Sequence, residues 1–495
     1  MRRKYIILII IILIYLPVTI DATVLYIAIP TLSEALNLSN NQLLWVLDIY
    51  SLIMAGLILP MGALGDRIGF KRLMLLGTVI FSFASLLAAL SNSAYMLITA
   101  RALLGLGASI ILPATLAGIR HTFTDDKERN YALGIWSTIG GGGAAVGPLL
   151  GGFILEHFHW GMIFLINVPI TLVVMVLIQK FVPVQQVNAQ QRLHLQQALI
   201  LISSILMLIY ALKTSFYVLD WKILSLFIAG VIGLIYFIRM QKSTDNPMVD
   251  LSLFANRIVS TSIIMAVVSM MALVGFELLL SQELQLIHHY TPLEAGLFIL
   301  PFMIAISVGG PFASWLMNKY PLHYLASVGM LMCATSFMGL AQINFAEQSN
   351  WAWVWMVLMG ISIEIALLSS TAAIMSSTPS EKATSAGAVE GMAYELGAGL
   401  GITLFGLMLS YFYTQSLIVP QAVIDHVGIQ HSLAETIKTA SDLTDKEMAK
   451  QLVTAAEQSF SVAHRQVLYV AGGAFFFLAA FVYLRLRHLK QQVSH

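Results

Sequence analysis

Fourteen times along this chain an apolar stretch of about 20 residues, the length that crosses a bilayer as a helix, interrupts a sparse polar background. The stretches lie near 6–29, 44–64, 73–91, 95–119, 131–155, 160–182, 197–213, 222–239, 258–281, 295–317, 322–343, 351–376, 385–413 and 464–485. Charged residues make up 10% of the 495 positions and apolar ones 58%, whereas a soluble domain carries about 25% charge. No soluble core accounts for that deficit, so a soluble enzyme, a nucleic-acid binder and a disordered scaffold are excluded as overall classes. The expected fold is an all-α integral membrane protein of fourteen spanning helices. The net charge of +1, with no basic patch, also argues against a nucleic-acid partner. The single cysteine, Cys333, allows no internal disulfide, and the paired histidines (157 and 159, 288 and 289) lack metal-ligand spacing. No metal or cofactor is expected.

Basic residues set the orientation. The N-terminus reads Met1-Arg-Arg-Lys and then runs apolar through Pro17 and Asp21 to Ile29 with no small-residue cleavage site, as a retained first helix would. With this end in the cytoplasm, 19 of the 26 Lys and Arg residues fall in cytoplasmic segments. Six (Lys213, Lys222, Lys438, Lys446, Lys450 and Arg465) fall in outer ones, and Arg101 alone is placed inside a span. The bias persists to the C-terminus, so both termini are expected in the cytoplasm of a multi-pass cell-membrane protein, the inner membrane in a Gram-negative cell. Segment 183–196 is a polar Gln-rich linker and 240–257 a cytoplasmic loop. The long outer loop 414–463 contains tracts 430–440 and 444–459 that pattern as soluble amphipathic helices.

An internal repeat divides the chain. The turn after the second helix reads Gly62-Ala-Leu-Gly-Asp66-Arg67-Ile-Gly69-Phe-Lys71-Arg72, and eight helices later Ser314-Trp-Leu-Met-Asn318-Lys319 occupies the equivalent place. That implies six helices (1–182), a linker with two inserted helices (183–257), and six more (258–495). Paired six-helix bundles with a site between them are a transporter architecture.

The turn motif at 62–72 resembles the signature loop of the major facilitator superfamily. Residues 97–108, containing Arg101, Gly105 and Gly107, resemble its fourth-helix motif. Gly143-Ala-Ala-Val-Gly147-Pro148-Leu-Leu-Gly151-Gly152 is similar to its fifth-helix antiporter motif at every fixed position. Asp21-Ala-Thr23, Trp45-Val-Leu-Asp48-Ile-Tyr50, Phe164-Leu-Ile-Asn167-Val-Pro169 and 388–397 resemble the fourteen-helix drug:proton antiporters, within them the quaternary-ammonium and methyl-viologen exporters. One departure is visible: relatives often carry two adjacent acids where this chain has Glu390 followed by Gly391. The resemblance implies proton-driven export of lipophilic cations by alternating access, working as a monomer. Export of a single metabolite class, such as an amino acid, siderophore or lipid, is the alternative. A membrane-embedded enzyme has no supporting motif here, neither a nucleophile elbow nor H-E-x-x-H nor a Gly-rich cofactor loop, and no G-x-x-x-x-G-K-[ST] for ATP occurs.

The chemistry of that exchange needs carboxyl groups within the membrane. A charge at the bilayer centre costs at least ~2.5–3.5 kcal/mol, so a carboxyl there favours its proton and can surrender it to a cation. Asp21, Asp48, Glu277, Glu364, Glu390 and Glu395 are the candidates, with Glu283 nearer the outer rim and Arg101 as a coupling partner. Glu390 and Tyr394 share a helix face, and Glu395 lies about 140° round from Glu390. Tyr26, Trp45, Tyr50, Trp136, Phe276 and Tyr394 are the candidate pocket aromatics, because cation–π contact adds roughly 0.5–2 kcal/mol. Gly143, Gly147, Gly151 and Gly152, with Pro148, would form a smooth strip for hinge and seal. Gly62, Asp66, Arg67, Gly69, Lys71 and Arg72 would latch the cytoplasmic face.

Overall fold

The computed structural model describes residues 2–184, 195–216, 220–244, 247–345, 347–378, 383–419, 431–443 and 445–487, and all regular structure among them is helical. The first bundle comprises α1 (Arg2–Ala35), α2 (Asn40–Ile68), α3 (Phe70–Ala89), α4 (Ala94–Thr122), α5 (Asp126–His157) and the pair α6 (Met162–Leu165) and α7 (Asn167–Phe181). Two inserted helices follow, α8 (Leu195–Ser215) and α9 (Trp221–Ser243). After the short α10 (Ser252–Ala255), the second bundle holds α11 (Arg257–Gln282), α12 (Pro292–Met317), α13 (Leu322–Leu340), α14 (Ser349–Ser377), α15 (Ala383–Ser416), the short α16 (Leu433–Ser441) and α17 (Lys446–Leu486). Fourteen of these segments are long and apolar enough to cross a membrane.

Local chemistry explains where the helices begin and turn. Ser39 and Thr291 each form a capping box, with Gln42 and Glu294 respectively, and Pro292 opens α12 where its missing N–H costs nothing. Gly69 joins α2 to α3 at φ 86°, a region that disfavours side chains, which is why the turn motif carries glycine there. Pro17, Pro30, Pro60, Pro113 and Pro148 lie inside continuous helices, as neighbouring helices in a membrane allow.

Two large apolar clusters fill the bundles, the first extending into α8, α11 and α15 through Leu201, Val274 and Ile402. One centres on residues such as Ile10, Leu97, Leu104 and Phe164, the other on Phe276, Phe302, Phe337 and Phe405. The inserted helices pack on each other, with Gly230 against Leu208 and Gly233 against Ser204, and Gln241 of α9 donates to Gln197 of α8 at 2.9 Å. Alpha8 docks on α2 through Ile202 against Gly56, while α9 leaves Phe227, Ile228, Ile232 and Tyr236 exposed as a lipid-facing surface.

The bundles touch most closely on the face away from the termini. A Cβ on Gly152 would fall 2.6 Å from Leu293 Cα, and one on Gly296 would fall 2.8 Å from the Pro148 carbonyl, so α5 and α12 meet backbone to backbone. Ser281 donates to the Tyr26 carbonyl at 2.5 Å and Gln285 to that of Ile27 at 3.0 Å. On the opposite half of α5, Gly134 and Gly142 have no neighbour within 4 Å of where a Cβ would sit.

Three expectations are corrected. Tract 444–459 is not a separate soluble helix; it is the first part of the 41-residue α17, which continues through the last span. The sixth and ninth spans stand as expected, the sixth with a break at Ile166 between α6 and α7 and the ninth ending in a π-helical turn, Glu283–Ile287. Arg101 is not the only basic residue inside a span: Lys213 lies within α8 and is fully buried, which sharpens the charge asymmetry between the two faces. The glycine strip serves two partners, since Gly143, Gly147 and Gly151 press on Thr19, Thr23 and Val24 of α1 inside the first bundle, and only Gly152 and Pro148 reach the second.

The backbone contact of α5 with α12 leads to a size test. Gly152→Leu is expected to lower the melting temperature in detergent by several degrees, because the leucine must force the helices apart, whereas Gly134→Ala enters open space and should leave it unchanged. Equal melting temperatures for the two variants would remove the close contact.

Candidate functional site

Within the first bundle each buried acid already has a cation. Asp21 of α1 accepts from Arg101 of α4 at 2.5 Å, with side-chain exposures of 0% and 2%. The Arg101 Nε donates to the Val46 carbonyl of α2 at 3.2 Å, and its guanidinium lies 4.4 Å over the Tyr50 ring. Tyr50 in turn donates to the Val18 carbonyl at 3.4 Å. One planar cation thus joins α1, α2 and α4, a task suited to the fixed fork of arginine. Close helix approach permits it, because Gly105 of α4 sits against the Tyr50 backbone.

Asp48 is paired from outside the bundle. Lys213 Nζ of α8 lies 2.6 Å from Asp48 Oδ2, and Thr403 of α15 donates to the same oxygen at 2.7 Å. The ammonium also lies 4.1 Å from the Trp45 ring centroid. Sequence reasoning missed Lys213 because the seventh apolar stretch was ended at that residue. The signal available was Asp48 itself, since a buried acid asks for a counter-charge.

The second bundle differs. Among the described residues no basic side chain pairs with Glu277, Glu364, Glu390 or Glu395. Glu390 Oε1 accepts from Thr371 at 2.6 Å and from Tyr394 at 3.0 Å, so the shared face of Glu390 and Tyr394 is a direct hydrogen bond. Glu395 points elsewhere on α15 and accepts from Ser51 of α2 in the first bundle. Glu364 of α14 is half-buried against Gly309 and Gly310 of α12. Glu277 is 1% exposed, and neither carboxyl oxygen has a hydrogen-bond partner among the described residues.

The other candidates distribute unevenly. Tyr26 is buried, its carbonyl accepting across the bundle interface. Trp136 is half-buried, stacks on Tyr15 with centroids 4.6 Å apart, and donates to Thr115 at 3.1 Å. Phe276 is fully buried edge-on to Phe302 and Phe337, within the second bundle's core. Lys71 donates to the Gln179 carbonyl at 3.0 Å, Arg67 and Arg72 are exposed, and Gly62 lies near Pro113; the Asp66 side chain lies outside the described residues.

A separate polar cluster closes the far face. Glu283, in the π-helical turn, meets His464 Nδ1 of α17 at 2.9 Å and His288 Nε2 at 3.7 Å. Burial holds the His288 imidazolium below its ordinary pKa. These residues line a cavity of about 210 Å³ together with Asn344, Phe345 and Arg465.

Comparison with known proteins gives this geometry its context. Residues 11–402 match the family model described as Major Facilitator Superfamily, and the chain belongs to that superfamily. It is a multi-pass membrane transporter rather than an enzyme. It is 48% identical over 490 residues to the methyl viologen resistance protein SmvA of Salmonella typhimurium, covering 98% of this chain and 99% of that one. It is 32% identical to the multidrug efflux pump LfrA of Mycolicibacterium smegmatis, over 92% of this chain and 91% of that one. A bacterial homologue of the human lysosomal transporter Spinster, solved in an inward-facing, unoccupied conformation, superposes with a TM-score of 0.67 at 16% identity and 98% coverage of both chains.

The pairing of Asp21 with Arg101 makes a stability prediction. Removing one partner leaves a buried charge uncompensated, which costs about 3–5 kcal/mol. Asp21→Asn and Arg101→Gln should each lower thermal stability in detergent, and the double variant should recover part of the loss. Strictly additive losses would mean that the two side chains do not interact.

Proposed function

We propose that this transporter exports lipophilic cations from the cytoplasm in exchange for protons. The observation that carries the reading is the set of four carboxyl groups, Glu277, Glu364, Glu390 and Glu395, placed in the membrane-spanning region with no cation beside them among the described residues. A lone carboxylate there is costly, and either a proton or an organic cation removes the cost. Competition between the two for one carboxyl couples their opposite movements. The names of the relatives, methyl viologen resistance and multidrug efflux, fit substrates of this class.

Direction follows from topology. The asymmetry of basic residues assigns the termini to the cytoplasm, which makes the tightly packed α5–α12 face the outer one. The conformation described is then tightly packed on its outer half, with looser packing around Gly134 and Gly142 on the cytoplasmic half, where a drug would enter. The Glu390–Tyr394–Thr371 cluster presents a carboxylate beside an aromatic ring, a pair suited to an organic cation. Glu395, bonded to Ser51 across the bundle interface, is placed to report occupancy of one bundle to the other. Expelling a dication against 100 mV costs ~4.6 kcal/mol, and two entering protons offset it, so more than one carboxyl has a use.

Proton release tests the exchange. Adding methyl viologen or a quaternary ammonium dye to the purified protein in weakly buffered detergent should release protons. Glu390→Gln, Glu395→Gln or Glu364→Gln should each diminish the release. Binding without release by the unaltered protein would end the competition mechanism, and absence of binding would move the substrate class to a single uncharged or anionic metabolite.

A further inference from the structure

The buried ammonium of Lys213 sits where a drug cation would sit. It lies 2.6 Å from the Asp48 carboxylate and 4.1 Å from the Trp45 ring centroid. A carboxylate facing an aromatic ring is the environment that binds quaternary ammonium ions. We infer that Asp48 and Trp45 form a cation subsite which the protein's own Lys213 occupies when substrate is absent, and from which substrate displaces it. The inference rests on the cation-export reading and adds a site and an internal competitor to it.

Three observations separate this from a fixed structural ion pair. First, the cation is incompletely satisfied: Asp48 Oδ1 is buried without a hydrogen-bond partner, as Asp21 Oδ1 is, but Lys213 Nζ also gains none beyond its ion-pair contact among the described residues, whereas Arg101 donates to the Val46 carbonyl as well. A permanent buried pair is stable only when its remaining donors and acceptors are filled. Second, the cation comes from an element outside both six-helix bundles. Alpha8 belongs to the inserted pair and is anchored on the first core by Ala198, Leu201 and Ile202, so the lysine side chain can withdraw along its flexible stem while the helix stays in place. Third, the same Asp48 oxygen accepts from Thr403 of α15, so the subsite spans the first bundle, the second bundle and the inserted helix. Replacing the lysine there with a mobile cation alters contacts at all three. Lysine suits the role better than arginine, being a compact point charge on a flexible stem.

A tethered competitor lowers apparent affinity by the fraction of molecules whose site is free. The test is equilibrium binding of tetraphenylphosphonium to the purified full-length chain in detergent, at mildly alkaline pH. Lys213→Gln is expected to bind about tenfold more tightly than the unaltered protein, as when one molecule in ten has the site free. Lys213→Arg should keep near-original affinity, and the gain should vanish in Asp48→Asn/Lys213→Gln. A folded Lys213→Gln protein with unchanged or weaker affinity would overturn the inference, as would a gain that persists without Asp48. Should the variant fail to fold, the unaltered protein still decides. Labelling of Lys213 by a membrane-permeant amine reagent, read by mass spectrometry, should rise when tetraphenylphosphonium is added, and a constant level would overturn the inference. If unaltered protein binds the probe and Lys213→Gln shows no gain, this inference alone falls. If no form binds it, the cation-export reading fails and takes the inference with it.

Discussion

Charge compensation in a low-dielectric interior organises this molecule. A carboxylate there needs a cation, a proton or a dense set of donors, and the chain uses different answers in its two halves. In the first bundle Asp21 and Asp48 are matched by Arg101 and Lys213. In the second bundle Glu390 and Glu395 receive only hydroxyl donors, and Glu277 has no hydrogen-bond partner among the described residues. The acids of the first bundle thus meet side-chain cations and those of the second meet hydroxyl donors, while Ser51 and Thr403 carry hydrogen bonds across the interface.

The Asp48–Lys213 pair also assigns a purpose to the two inserted helices. Alpha9 turns an apolar surface outward and α8 turns Ile202 and Lys213 inward, onto α2. The inserted pair is thus more than a spacer between repeats: it delivers a charge to an acid of the first bundle that has no basic partner of its own among the described residues.

Much of the architecture was legible in the sequence because lipid imposes a single rule, a long apolar helix, on every crossing. The fourteen stretches and the buried positions of Asp21, Arg101 and Glu390 follow from length, charge and spacing. The partner choices were less legible. Asp21 with Arg101 joins residues 80 apart, Asp48 with Thr403 residues 355 apart, and no periodicity within one helix reports which neighbour it will meet. Lys213 was hidden by its place near a helix end, where a lysine ordinarily reaches toward the interface. The role of α17 was obscured for a related reason: its first half reads as amphipathic and soluble, since Leu452, Ala456 and Phe460 are buried on one side only. The π-helical turn at Glu283 left no sequence mark.

The two kinds of bundle contact differ in a way that permits motion. Inside the first bundle, Gly143, Gly147 and Gly151 press on threonine and valine side chains of α1, and Thr23 donates to the Ala144 carbonyl at 3.0 Å, so α1 and α5 are keyed together along several turns. Between bundles, α5 meets α12 through glycine, proline and main chain at one end, with open space around Gly134 and Gly142 at the other, while α2 lies along α15 from Leu44 at Gly406 to Ile58 at Gly391. The α5–α12 contact is intimate but short and can separate with little loss of buried side-chain area, whereas keyed helices must move together. Rigid-body rocking about a central site is the motion such packing favours. Asp48 and Glu395, which accept from Thr403 and Ser51 across the bundle interface, hold carboxyl groups at the seam where such rocking would take place.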